Sequence, residues 1–108
     1  METMQNTGPI ACSTMAHVRQ CIDDLDMQIV ALLAQRTSYM TQAARIKQHR
    51  HQVRDNERVQ YIVQRVGQAM QAQGFPPQIA QAAYQALIDQ SIAFEDQEFL
   101  RLRQGVAP

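Results

Sequence analysis

Apolar residues return at three- and four-residue steps along most of the chain, and nowhere do they alternate with polar ones. Val18, Ile22, Leu25, Ile29, Leu32, Leu33, Met40, Ala43 and Ile46 form the longest series. That spacing keeps one face of an α-helix apolar. Neither Pro nor Gly interrupts it from Thr14 to about residue 48. Ser13 or Thr14 stands where a hydroxyl can accept from a free first-turn N–H. His49 to Gln52 is polar and marks the break.

A second series, Val59, Ile62, Val66 and Met70, predicts a helix starting at Asp55 or Asn56 and stopping at Gly74. Gly67 inside it is tolerated at a small cost. Phe75-Pro76-Pro77 reads as a loop and the first turn of a third helix, where Pro is acceptable. Ile79, Ala83, Leu87, Ser91, Phe94 and Glu98 trace one flank of that helix, and Tyr84, Ile88 and Ile92 widen it. The pattern predicts an all-α fold of three helices, with no internal repeat. It sets the domain at 14–104, after a flexible arm at 1–13 and before a short tail at 105–108.

The first helix decides the architecture. About 35 residues at roughly 1.5 Å each give about 50 Å, whereas a compact 100-residue domain has a radius of gyration of about 13 Å. Two shorter helices cannot cover such a stripe. Either the helix breaks or a second chain covers it, and the preferred expectation is an interlocked homodimer.

Composition narrows the function. With 108 residues the chain holds one domain, and its 10 basic and 10 acidic residues cancel. A neutral chain with few aromatics is a poor wrapper of nucleic acid or anionic membrane, although Arg45 to Arg50 is a short basic run. The 18 glutamines supply uncharged polar faces. No apolar run approaches a membrane span, and the N-terminus lacks the basic start and apolar core of a signal peptide, so the expected compartment is the cytoplasm. Cys12 and Cys21 stand apart with no CxxC or His/Cys grouping in the sequence, so no metal and no cofactor are expected. His17, His49 and His51 read as solvated.

The anomaly is where basic residues fall. Arg36 continues the apolar stripe after Leu33, and Lys47, 11 residues on, points the same way after almost three turns. Arg19 lies one position off the stripe, on the flank a partner helix could approach. A buried cation needs an anion, and Arg cannot deprotonate. Two readings stand. Glu95, Asp55 or Asp26 can neutralise these bases in ordinary ion pairs, or the bases snorkel to water. Alternatively they form a pocket for a small dicarboxylate. Ser91 and Glu95 lie one turn apart on the third helix. Asp55 reads first as a helix cap, and Ser91 equally as a packing hydroxyl or a ligand contact.

The same residues resemble the all-helical chorismate mutase family, including its relative isochorismate-pyruvate lyase. The matching stretches are VRQCIDDLDMQIVALLAQR (18–36), AARIK ending at Lys47, VRDNERV (53–59) and LIDQSIAFE (87–95). The resemblance implies an intertwined homodimer without cofactor or metal, acting on chorismate or isochorismate. It implies that Arg19 reaches across the interface to one substrate carboxylate and that Arg36 grips the other from within the same chain. It implies that Lys47 meets the ether oxygen and that Asp55 lies near the ring hydroxyl. Ser91 is implied near the ring carboxylate. Glu95 stands where many bacterial mutases carry glutamine. Two departures matter. Val59 replaces a glutamate usual in the mutases, as in the lyase. Glu95, as in the fungal mutases, can donate a hydrogen bond only when protonated. The expected activity is rearrangement of chorismate to prephenate. The alternatives are salicylate and pyruvate from isochorismate, or a non-catalytic helical dimer acting as a binding or regulatory module.

Overall fold

The computed structural model describes residues 9–104. They form α1 (Met15–Ile46), a 3-10 turn at Arg50–Gln52, α2 (Asn56–Ala72) and α3 (Pro77–Gln104), with no strand among the described residues. The start and stop chemistry follows the sequence. The Thr14 hydroxyl accepts from the His17 N–H at 3.1 Å, capping α1. The Asp55 carboxylate accepts from the Arg58 N–H at 3.1 Å, capping α2. At the far end of α2, Gly74 takes φ 89°. Its N–H donates to the Gln71 carbonyl and the Phe75 N–H to the Met70 carbonyl, which closes a Schellman turn. Gly67 does more than the sequence reading allows for: it is buried, and a side chain there would strike Gln81 of α3.

The break after α1 is an ordered turn. The Gln52 side-chain oxygen accepts from the backbone N–H groups of Gln48 and His49 at 3.0 and 2.9 Å, and the Gln52 N–H donates to the His49 carbonyl. This carries the chain directly into the Val53–Asp55 approach to α2.

The fold divides into two units, Met1–Ala34 and Gln35–Pro108, with α1 contributing to both. In the first unit, α1 runs without interruption and exposes Ile22, Leu25, Met27, Ile29, Val30 and Leu32, each about half exposed or more. Of the two outcomes expected for the long helix, it does not break. In the second unit, α2 packs along α3, and Ala44, Val53 and Phe99 make a small core flanked by Ile92, Leu100 and Leu102. Ala44 is fully buried in that cluster. The arm expected over 1–13 lies outside the described residues for 1–8, and so does the tail at 105–108.

Candidate functional site

In the second unit, the last turns of α1 meet α3 through paired polar groups. Arg36 donates from Nη1 to the Ser91 hydroxyl at 2.7 Å, and three turns later Lys47 Nζ donates to Glu95 Oε2 at 2.6 Å. Ser91 and Glu95 are one turn apart on α3 and both are buried, Glu95 to 4% exposure. The spacing that put Arg36 and Lys47 on one face of α1 and Ser91 and Glu95 on one face of α3 is therefore the spacing that joins them.

The hydrogen-bond inventory sets what these groups have left to offer. The Ser91 hydroxyl donates to the Leu87 carbonyl one turn back at 2.8 Å, so its proton is committed and its lone pair holds Arg36. Of the two readings of Ser91, the backbone-bonded hydroxyl is the one present, and it also touches the arginine. Lys47 has three N–H directions. One goes to Glu95 and a second, at 3.5 Å, to the Val53 carbonyl, leaving one for a ligand. Arg36 keeps four of its five N–H groups, and among the described residues no carboxylate pairs with it. The ion-pair reading therefore holds for Lys47 with Glu95 and not for Arg36.

Arg36 also lines a cavity of about 280 Å³ with Arg58, Tyr61, Arg65, Val66 and Tyr84. That is near the lower end of the roughly 300–1,000 Å³ usual for small-molecule sites. Three arginines and no carboxylate residue line it among the described residues, so its lining carries positive charge. Tyr84 lies under the Arg36 guanidinium at 5.9 Å, and Tyr61 under Arg58 at 5.2 Å, while the Tyr61 hydroxyl accepts from Arg65 at 2.8 Å. Aromatic faces hold the guanidinium planes without neutralising them.

The sequence reading did not single out Arg58, Arg65 or Arg103. Arg58 and Arg65 lie two turns apart on α2, at a spacing that shares one face, which was the available signal. Arg103 had none. Its guanidinium stacks 3.5 Å over Phe99 and donates to the carbonyls of Ala44 and Lys47, closing the C-terminus of α1. It fixes the backbone that carries Lys47.

The remaining expected residues are not brought into this cluster by any hydrogen bond or ion pair. Asp55 is exposed and its carboxylate serves as the α2 cap. Val59 is half-buried one turn into α2, and Arg19 is exposed in the first unit.

One expectation needs correction. The two cysteines are not isolated from histidine: Cys12, His17 and Cys21 bring their ligand atoms within 4.8 Å of one another. Cys12 lies outside the helix, and the turn at residues 13 and 14 folds it back, which linear spacing does not reveal.

The family model of chorismate mutase type II matches residues 18–96. The chain belongs to that family. The match spans α1 from Val18 onward, all of α2 and the part of α3 that carries Ser91 and Glu95. No curated protein matches the chain. Family membership accounts for the all-helical fold, and no helix among the described residues is long and apolar enough to cross a membrane.

Proposed function

We propose that the chain is a chorismate mutase that works as a homodimer. The observation that carries this reading is Arg36, a half-buried guanidinium with no carboxylate partner among the described residues, on one helix face with a lysine that has one N–H direction left. Two cations held ready on one helix face suit a dicarboxylate, and the family's substrate has two carboxylates.

The reaction is an intramolecular rearrangement. The ether bond between the ring and the enolpyruvyl arm breaks as a carbon–carbon bond forms between the arm's methylene and the ring. No proton must leave the substrate and no cofactor takes part. Arg36 and the Arg19 of a partner chain grip the carboxylates and fold the arm over the ring, which removes much of the entropic barrier. Lys47 then meets the negative charge that grows on the ether oxygen. Glu95, as an ion-paired carboxylate, holds Lys47 in place; when protonated it donates to the same oxygen. Arg58 adds a second positive wall to the cavity. The exposed stripe of α1, from Ile22 to Leu32, supports the dimer that would supply Arg19.

Val59 favours a second reading, the isochorismate-pyruvate lyase. A mutase glutamate at that position bonds the ring hydroxyl, and valine cannot. In the lyase reaction a ring hydrogen moves to the enolpyruvyl methylene as the carbon–oxygen bond breaks, giving salicylate and pyruvate from the same anchored conformer.

Incubating the purified chain with chorismate and isochorismate separately, from about pH 5 to 8, distinguishes the two. Prephenate from chorismate is the expected result. Salicylate with pyruvate from isochorismate moves the assignment to the lyase. A folded dimer that yields neither product is a binding or regulatory module.

A further inference from the structure

We propose that Cys12, His17 and Cys21 form a binding site for a zinc-class cation at the start of α1, a site separate from the arginine-lined cavity. Three groups with soft or borderline ligand atoms gather here from two kinds of structure. His17 and Cys21 are four residues apart on α1 and therefore neighbours on one face. Cys12 comes from the lead-in, brought over that face by the bend at residues 13 and 14, which the Thr14 cap on the His17 N–H holds in place.

The dimensions fit. The three ligand atoms lie within 4.8 Å of one another. Tetrahedral zinc with bonds of about 2.3 Å to sulfur and 2.0–2.1 Å to nitrogen needs separations of about 3.5–3.8 Å. The widest separation would have to close by about 1 Å, and rotation of the exposed His17 and the half-buried cysteines is the movement the proposal requires. The Cys12 thiol donates weakly to the Ile10 carbonyl at 3.6 Å and to no stronger acceptor.

On binding, each thiol releases its proton to solvent and the metal–sulfur bonds replace the S–H bonds, so two protons leave per ion with no oxidant or reductant needed. Two cysteines and one histidine leave the fourth tetrahedral position to water or to a group from another chain.

Arg19 stands two positions from both His17 and Cys21, about 200° around the helix. The cation would thus occupy the face of α1 turned away from Arg19. It would staple the lead-in to the helix, and it stands or falls independently of the proposed reaction.

The probe is Co²⁺, added to the full-length chain kept reduced. A near-ultraviolet thiolate-to-cobalt band with intense visible bands, saturating at one ion per chain and abolished by one equivalent of Zn²⁺, is the expected result. Cys12→Ser and Cys21→Ser are expected to lose the thiolate band intensity by about half each and to weaken binding more than tenfold, and His17→Ala to weaken it at least about tenfold. Far-ultraviolet circular dichroism confirms that each variant keeps its helices. A faint octahedral spectrum, or equal affinity in the cysteine variants, overturns the proposal. So does a reduced chain that takes up no cobalt; if air then links Cys12 to Cys21, the pair is a dithiol.

Discussion

The two stretches of α1 on either side of Ala34 use one helix in opposite ways. Before it, Ile22, Leu25, Ile29, Val30 and Leu32 are exposed, and few side chains find partners within the chain. After it, almost every inward position is tied to α3: Arg36 to Ser91, Thr41 to Glu98, Lys47 to Glu95, and the carbonyls of Ala44 and Lys47 to Arg103. The apolar core beneath those ties is small, with Ala44 at its centre. The chain thus keeps large apolar side chains where it has no internal partner and polar ones where it does. A monomer usually arranges the reverse. The contrast makes sense when the apolar stretch is an interface and the polar stretch is a site, and each half of that statement can be broken separately.

The largest effect is expected at the site. Arg36→Met removes a cation with no carboxylate partner among the described residues and leaves the Ser91 hydroxyl bonded to Leu87. Turnover of the substrate should fall by about 10²–10³-fold, while the thermal midpoint stays level or rises, because a half-buried charge without a counter-charge costs stability. Lys47→Met should lose turnover as well, but it also strands the buried Glu95 carboxylate and should lower the midpoint. If instead Arg36→Met unfolds the chain and spares turnover, the polar stretch is scaffolding and not a site.

Next in size is the interface. Ile29→Glu places a charge in the exposed stripe, and burying it against a second copy would cost about 2–4 kcal/mol. Sedimentation should show the wild-type chain as a dimer and the variant dissociating at concentrations about 30- to 1,000-fold higher. A wild-type chain that sediments as a monomer would remove the interface reading, and with it the route by which a partner's Arg19 reaches the substrate.

How much of this was legible in the sequence depends on whether a feature lies along one helix or between elements. Arg36 with Lys47, and Ser91 with Glu95, are same-face pairs, so helical period alone places each pair and the caps at Thr14, Asp55 and Gly74 follow from local chemistry. Arg103 closing the end of α1 depends on where α3 finishes, which no local signal fixes. Gly67 reads as a mild helix penalty until its packing against Gln81 appears. Cys12 meets His17 and Cys21 only because a two-residue bend reverses the chain. Arg58 hides for another reason: it sits in the first turn of α2, where its backbone N–H satisfies the Asp55 cap, and its side chain's place beside Arg36 is a matter of how α2 packs.

The smallest effect tests the polar stretch from its other end. Glu98 receives two bonds from Arg101, at 2.8 and 2.9 Å, and one from the Thr41 hydroxyl of α1 at 2.9 Å. The Arg101 hydrogen bonds, then the one from Thr41, hold its carboxyl down to about 2 against burial that acts the other way. An unfolded glutamate titrates near 4.3. The folded form therefore binds its proton later than the unfolded one, so the contribution is fully present above about pH 4.3 and drains away as pH falls through about 2. Asp96, held low by Arg50, works in the same sense. Urea midpoints should place Glu98→Gln below the wild type at neutral pH, with the gap narrowing between about pH 4 and 2. Thr41→Val should reproduce part of that narrowing, because it removes one of the bonds that depress the carboxyl. A gap that stays constant with pH would mean that Glu98 contributes shape and not charge, and that α1 is held to α3 by Lys47, Arg36 and the Ala44 core without it.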